Sequence, residues 1–472
     1  MKQNKIKVIL FAAIGAILLL LLIFFAFSLL GSGGSLRHQH NFKEIVSFDA
    51  ETHSLKCKCG KTQEAEHVYG AEYELQTEPT CSQKGTGLFT CQYCENTVVK
   101  ELSMEVPHKY RNGVCSNCNY IETTDESFFD FTLLEDGTYS ISVKDGVKDL
   151  PKNVGIPESY GGKPVTVIAE SAFEGNKLLA GVRIPDTITT IGYSAFYNCT
   201  KLSYIDMGEE VKVLGRFAFG GCSSLAKIEL SDSVEMISAY AFANCSYLKN
   251  ITMPKKLKFI GNGAFANCKM LVSVKIRGSS LETIEENAFN GCLRLETVVL
   301  PNTVKFIGAC AFYECGRLTD INIPTSVEYI GNEAFYNCKD LNCSIVFPET
   351  LRYLGDEAFA MCRSLEKVTL PANMLNIGNG IFKNCISLTV PTLPETLEEI
   401  GYAAFYKCYK LPESLPASLE KIGSHAFYSC EVGGKINYNG TRSEFSRITI
   451  ESSAFDSVDA TVVCTDSEIV LN

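Results

Sequence analysis

The chain has no surplus of basic residues. Its 43 Lys and Arg stand against 54 Asp and Glu, for a net charge of -11. Contact with nucleic acid phosphates draws its free energy from counterion release and needs a basic stripe, so nucleic acid is excluded as a partner. Histidine is scarce at six residues, and only His425 lies beyond residue 120. No glycine-rich phosphate loop follows a strand and opens a helix, and no Gly-x-Ser-x-Gly elbow is present. After residue 30 no apolar run is long enough to cross a bilayer. What remains is ordinary globular material, 46% hydrophobic and 21% charged, which argues against long disorder. At 472 residues the chain exceeds one compact core, so either several domains or an elongated repeat is expected.

The first thirty residues stand apart. Lys2, Lys5 and Lys7 precede an uncharged run from Val8 to Leu30, and a transmembrane helix needs about 20 such residues. The lysines favour a cytoplasmic N-terminus, which places the rest outside the cell. Residues 1-30 are therefore expected to be a single-pass signal anchor. The alternative is a cleaved signal peptide, for which Ala26 and Ser28 supply a small-x-small pair. Residues 31-37 open with Gly31, Ser32, Gly33, Gly34 and Ser35, a flexible linker composition.

A repeat organises the C-terminal two thirds. Ala-Phe recurs with its Phe at 173, 196, 219, 242, 265, 289, 312, 335, 359, 405, 427 and 455, and Ile381-Phe382 fills the gap. Most steps are 23 residues. Ile-Gly usually precedes the Phe, as in Ile307-Gly308 and Ile330-Gly331, and Cys follows three residues after it from Cys199 to Cys430. Leu318, Ile321, Ile323 and Pro324 show the rest of the pattern. The spacing of two between Ile321 and Ile323 predicts a strand with an inward side, and Pro324 ends it. Val327 and Ile330 begin a second short strand, Gly331 is expected to supply a permissive backbone for a bend, and Ala334-Phe335 reads as a single helical or 3₁₀ turn. One such coil buries little, but stacked coils close a continuous core.

These residues resemble the BspA-type leucine-rich repeat family of bacterial surface proteins, with Leu295 to Cys315 as one matching unit. The expected fold is mainly β, a leucine-rich-repeat solenoid of about 13 coils of ~23 residues, preceded by the anchor and a small Cys/His module. The resemblance implies a surface-exposed adhesin or ligand binder and no catalysis. It departs at the ends, where Asn176 and Val458 stand in the cysteine slot. The expected spans are a Cys/His module over 38-122, an N-terminal β cap over 123-165, the solenoid over 166-436 and a C-terminal coil and cap over 437-472. Phe131 to Val143 alternates around Asp136-Gly137, a hairpin signal.

The 21 cysteines divide into three groups. Those in the repeat slot read as buried thiols, since free Cys behaves as a small hydrophobe. Asn176 in the same slot suggests a polar group bonding to the turn of the next coil. Cys310, Cys343 and Cys464 lie off that ladder. In the N-terminal module, His40, Cys57, Cys59 and His67 form one candidate zinc set and Cys81, Cys91, Cys94 and His108 a second, with Cys115 and Cys118 as another Cys-x-x-Cys. Zinc accepts four such ligands in a tetrahedron. Disulfide stapling is the alternative, although seven cysteines leave one over.

The strand faces predict a binding surface. Outward positions flanking the inward aliphatics include Tyr204 and Asp206, Lys227 and Glu229, Asn250 and Thr252, Lys275, and Asp320 and Asn322. Phe306, Tyr329 and Tyr353 share one slot of the second strand in successive coils. Exposed aromatics mark binding sites, but aromatic ladders also stabilise sheets. The expected partner is a protein or a glycan. A structural or sensory envelope component that binds another protein of the same cell is the alternative, and a hydrolase using His425 a remote one.

Overall fold

The computed structural model describes residues 42–48, 52–57, 61–66, 68–77, 86–91, 97–101, 110–111, 113–115, 120–430, 434–456 and 460–471. Two compact units divide between Asn119 and Tyr120. The first contains two three-stranded antiparallel sheets. One pairs Phe42–Phe48, Thr52–Cys57 and Thr62–Glu66, and the other Tyr69–Thr77, Thr86–Cys91 and Thr97–Glu101. Tyr110–Arg111 pairs with Val114–Cys115. The anchor expected over 1-30 and the linker over 31-37 lie outside the described residues. Among the described residues no helix is long and apolar enough to cross a membrane.

The second unit is a β-solenoid with almost no helix. Its coils of about 23 residues run through a first strand, a bend, a second strand and a turn. Second strands pair in parallel from Lys163–Ile168 to Tyr353–Leu354, keeping Ile168, Ile191, Leu214, Ile237 and Ile260 in register. Register is held because every coil buries the same face, and a slip of one residue would turn the aliphatics out to water. The repeat phenylalanines form a spine: from Phe173 to Phe455 successive rings stack with centroids 4.8 to 6.1 Å apart. Burying each Phe is worth about 1.5–3 kcal/mol.

The turn holding each Phe is not the helical or 3₁₀ turn that its length suggests. Ala334, Tyr336 and Cys338 donate N–H to the carbonyls of Gly331, Glu333 and Phe335, whereas Glu333, Phe335 and Asn337 donate to Asp356, Ala358 and Ala360 of the next coil. Alternate amides therefore serve the turn and the stack, so both neighbours in the solenoid are satisfied. This alternation requires left-handed backbone at two places per coil, such as Glu333 (φ 55) and Asn337 (φ 58). The second place carries Asn or Gly in most coils, as at Asn198, Gly221, Asn244, Asn267 and Gly291, the residues for which that conformation is least costly.

Gly331 also has a different reason from the expected one. Its φ is not positive; a Cβ there would lie 2.4 Å from the backbone nitrogen of Ala309 in the preceding coil. Gly192, Gly215, Gly308 and Gly401 meet the same obstacle. Close approach between coils selects glycine here, and conformational freedom does not.

Both ends are covered. Phe129–Leu133 and Tyr139–Val143 form an antiparallel hairpin turned at Gly137 (φ 83), and Asp136 accepts the Thr138 amide at 2.9 Å. Phe129 starts the spine edge-on to Phe173 at 6.4 Å. At the other end Ala460–Val463 turns back against Glu468–Leu471, and the short helix Arg442–Phe445 carries a capping box from Thr441 and Glu444. Such covers keep the last coil from exposing its core.

Candidate functional site

The metal-ligand candidates are only partly within the described residues. Cys91 ends a strand and Cys115 ends another, both buried, and Cys57 ends the strand Thr52–Cys57. His40, Cys59, His67, Cys81, Cys94, His108 and Cys118 lie outside the described residues. Among the described residues no three His, Cys, Asp or Glu side chains converge on a point.

The first-strand candidates form rows across successive coils. Lys227, Asn250, Ser273, Thr297 and Asp320 align in one row, and Thr252 and Lys275 in another. Their inward partners Ile228, Ile251, Val274, Val298 and Ile321 are buried. Several outward groups are already engaged. The Lys227 ammonium lies 2.6 Å from Glu229 and, through this hydrogen bond, holds the Glu229 carboxyl below its ordinary value. The Ser273 hydroxyl donates to Asn250 Oδ1 at 2.7 Å. Asn322 accepts the Leu300 amide at 2.8 Å and donates to the Leu300 carbonyl at 2.9 Å, so it serves the stack. Burial raises the Asp206 carboxyl, an effect that the Arg183 charge opposes. Tyr204 is exposed.

This column of strands is interrupted, which the periodicity does not reveal. It divides into one ladder ending at Tyr204–Met207, one from Asn250–Met253 to Asp320–Ile321, and one of Ile345–Val346 with Val368–Thr369. A groove of about 880 Å³ lies at the first break, with Met207, Glu209 and Glu210 on one side and Lys249, Asn250 and Arg277 on the other. A groove of about 740 Å³ lies beyond Val368–Thr369, lined by Ile386, Val390, Pro391 and Tyr409 among others.

Phe306, Tyr329 and Tyr353 belong to the second-strand sheet, apart from the first-strand rows. Their rings stack at 4.5 and 4.6 Å, nearly parallel. Each interior ring face is thus covered by its neighbour, and the ladder offers edges to solvent. Phe259 occupies the same column but is separated from Phe306 by Thr283.

His425 stands in the first left-handed position of its turn (φ 61), half-buried against Tyr402 and Tyr428. Its Nδ1 lies 2.8 Å from the Ser424 hydroxyl, which itself donates to the Ser452 carbonyl at 2.6 Å. With its one proton directed to that carbonyl, Ser424 accepts from His425 when the ring carries its proton on Nδ1.

The slot cysteines donate S–H to the Phe carbonyl of the preceding coil, at 3.0 Å for Cys199 to Phe173 and 3.2 Å for Cys338 to Phe312. The contact reaches backwards along the solenoid, opposite to the expected direction. Asn176, in the first coil, accepts the Leu178 and Leu179 amides of its own turn at 2.9 and 3.0 Å instead. Burial pushes the Cys199 and Cys430 thiols up to about 12.

The sequence pattern described as BspA type Leucine rich repeat region matches residues 166–292, 270–389 and 340–460. No curated protein matches the chain. Among solved structures, a leucine rich cell surface protein from Faecalibacterium prausnitzii A2-165 is 29% identical, with 71% of this chain and 99% of that one covered and a TM-score of 0.45. A leucine-rich repeat protein from Bacteroides ovatus ATCC 8483 is 29% identical, with 73% and 100% covered and a TM-score of 0.48.

Proposed function

Because the chain belongs to the BspA-type leucine-rich repeat family, we propose that it is a non-catalytic binding protein of the cell surface, adhesin-like, whose first-strand face takes a protein partner. The observation that carries this reading is the set of exposed rows from Lys227 to Asp320, held in register on a stack that satisfies its own backbone. A rigid scaffold presenting polar side chains at fixed spacing loses little entropy on binding. Protein is favoured over glycan because the first-strand rows present charges of both signs, and the Phe306, Tyr329 and Tyr353 ladder, whose faces cover one another, offers a sugar little more than ring edges. The engagement of Ser424 with Ser452 supports the non-catalytic reading.

Residues 1-30 anchor the protein in the membrane with the repeats outside, and residues 38-122 form a Cys/His module holding structural zinc. The donor chemistry supports zinc, which would cross-link a unit too small for a large core of its own. Metal content and free-thiol count on purified residues 31-472 test this: stoichiometric zinc with reactive thiols after chelation is expected, and metal-free protein with few titratable thiols in the module would mean disulfides. The binding reading is tested by capture of host matrix proteins and of the cell's own envelope proteins on the same fragment. Saturable binding of a host protein supports an adhesin, binding of an envelope protein alone supports the envelope alternative, and no saturable protein binding rejects both.

A further inference from the structure

The groove at the first break in the first-strand column has walls of opposite charge. From Met236 to Leu281 the chain contains no Asp or Glu, yet it carries seven Lys and Arg between Lys249 and Arg277. In a chain with a net charge of -11 this is a marked local reversal. Three of these cations are matched: from the neighbouring coil, Asp232 lies 2.9 Å from Lys255 and Glu235 3.0 Å from Lys258, and from two coils away Asp232 lies 3.9 Å from Arg277. Lys249, Lys256, Lys269 and Lys275 have no carboxylate in ion-pair range among the described residues.

Within the groove the floor is close to neutral, because Glu229 pairs with Lys227 and Asp232 with Lys255. The walls are not. Glu209 and Glu210 stand exposed on one rim, and on the other stand Lys249, without a carboxylate in range, and Arg277, which shares Asp232 with Lys255. The two rims come from coils on either side of the floor, so the groove runs along the strand direction. A uniform polyanion lying there would meet the lysine rim favourably and the glutamate rim unfavourably. An extended polypeptide has no such conflict, since successive side chains point to opposite sides and can present carboxylates to one rim and cations to the other.

We propose that this groove is the docking site for an extended polypeptide segment of alternating charge, with acidic side chains on the Lys249 rim and basic ones on the Glu210 rim. The proposal rests on the protein-binding reading above and names the partner chemistry for that face. Occupation would extend the mixed charge pattern of the floor without burying an unpaired charge.

The test uses the full chain in lipid nanodiscs and two labelled probes, a twelve-residue alternating Glu-Lys peptide and a heparin dodecasaccharide, with fluorescence anisotropy at low and physiological salt. Lys249→Glu and Glu210→Lys are surface changes on opposite rims. For the peptide, each is expected to weaken binding roughly three- to tenfold. For heparin, Lys249→Glu weakens binding and Glu210→Lys strengthens it. The proposal is overturned if Glu210→Lys tightens the peptide as it tightens heparin, or if neither variant alters peptide binding. Synthetic probes keep this outcome separate from the search for a natural partner: a captured protein that binds both variants as it binds wild type would overturn the groove as the docking site and leave the binding reading standing.

Discussion

The thiol of Cys315 donates to the carbonyl oxygen of Phe289, 3.3 Å away in the preceding coil. The carbonyl belongs to a ring of the spine, so each cysteine closes a polar contact next to the stacked phenylalanines. Ten other slot cysteines make the same bond.

Such thiols are protected in two ways, by burial and by holding their protons. In the native chain Cys310 and Cys343, both half-buried, are expected to react with a maleimide before any ladder cysteine of residues 120–430, as mapped by mass spectrometry; simultaneous labelling of the ladder would contradict this. The sign of the pH effect follows from the raised thiol. Cys199 goes from an ordinary 9.0 to about 12, so its contribution to stability is complete below pH 9 and is lost as pH rises from 9 through 12. The melting-temperature difference between wild type and Cys199→Ala should therefore shift against wild type across that window and stay constant below it.

Gly331→Ala places a methyl group 2.4 Å from the Ala309 nitrogen, and the expected cost is about 2–4 kcal/mol because backbone must move. Met361 presents the opposite case. It occupies a left-handed position (φ 65) where most other coils use Asn or Gly, and Met361→Asn is expected to stabilise by up to about 1 kcal/mol. Urea denaturation measures both; a neutral Gly331→Ala would show that the coils can separate freely.

Phe312 is fully buried between Phe289 at 5.3 Å and Phe335 at 5.2 Å. Phe312→Ala is expected to cost about 3–5 kcal/mol and, because coils couple chiefly to their neighbours, to split unfolding into two transitions. A single sharp transition at unchanged denaturant concentration would count against the spine as the main source of cohesion.

Arg183 ties the start of the second unit to the first coils. Its guanidinium donates to the Ile121 carbonyl at 2.8 Å and to the Thr123 hydroxyl at 2.7 Å, and lies 4.7 Å from the Tyr120 ring centroid. Arg183→Ala leaves the Ile121 carbonyl without this donor, a cost of about 1–3 kcal/mol. Hydrogen exchange should quicken at residues 120–124 while the central coils keep their protection, and Arg183→Lys should not rescue it, since the planar fork is lost.

The coil, its two strands and its buried Phe, Leu and Cys were legible in the residues alone, because every unit states the same local rule and the period of two separates inward Ile321 from outward Asp320. The hairpin turn at Gly137 was equally local. What depended on residues about 23 positions away could be decided only by the stack. Whether Gly331 serves a bend or a close approach is settled by where Ala309 lies, and the direction of the Cys315 thiol by the neighbouring Phe289 carbonyl. The grooves also belong to the tertiary structure. Identical strand slots at Tyr204, Lys227 and Asn250 predict an unbroken ladder, whereas pairing depends on the backbone of the next coil, and the column opens between Tyr204–Met207 and Lys227 before it resumes at Asn250, which sets a glutamate rim opposite a lysine rim.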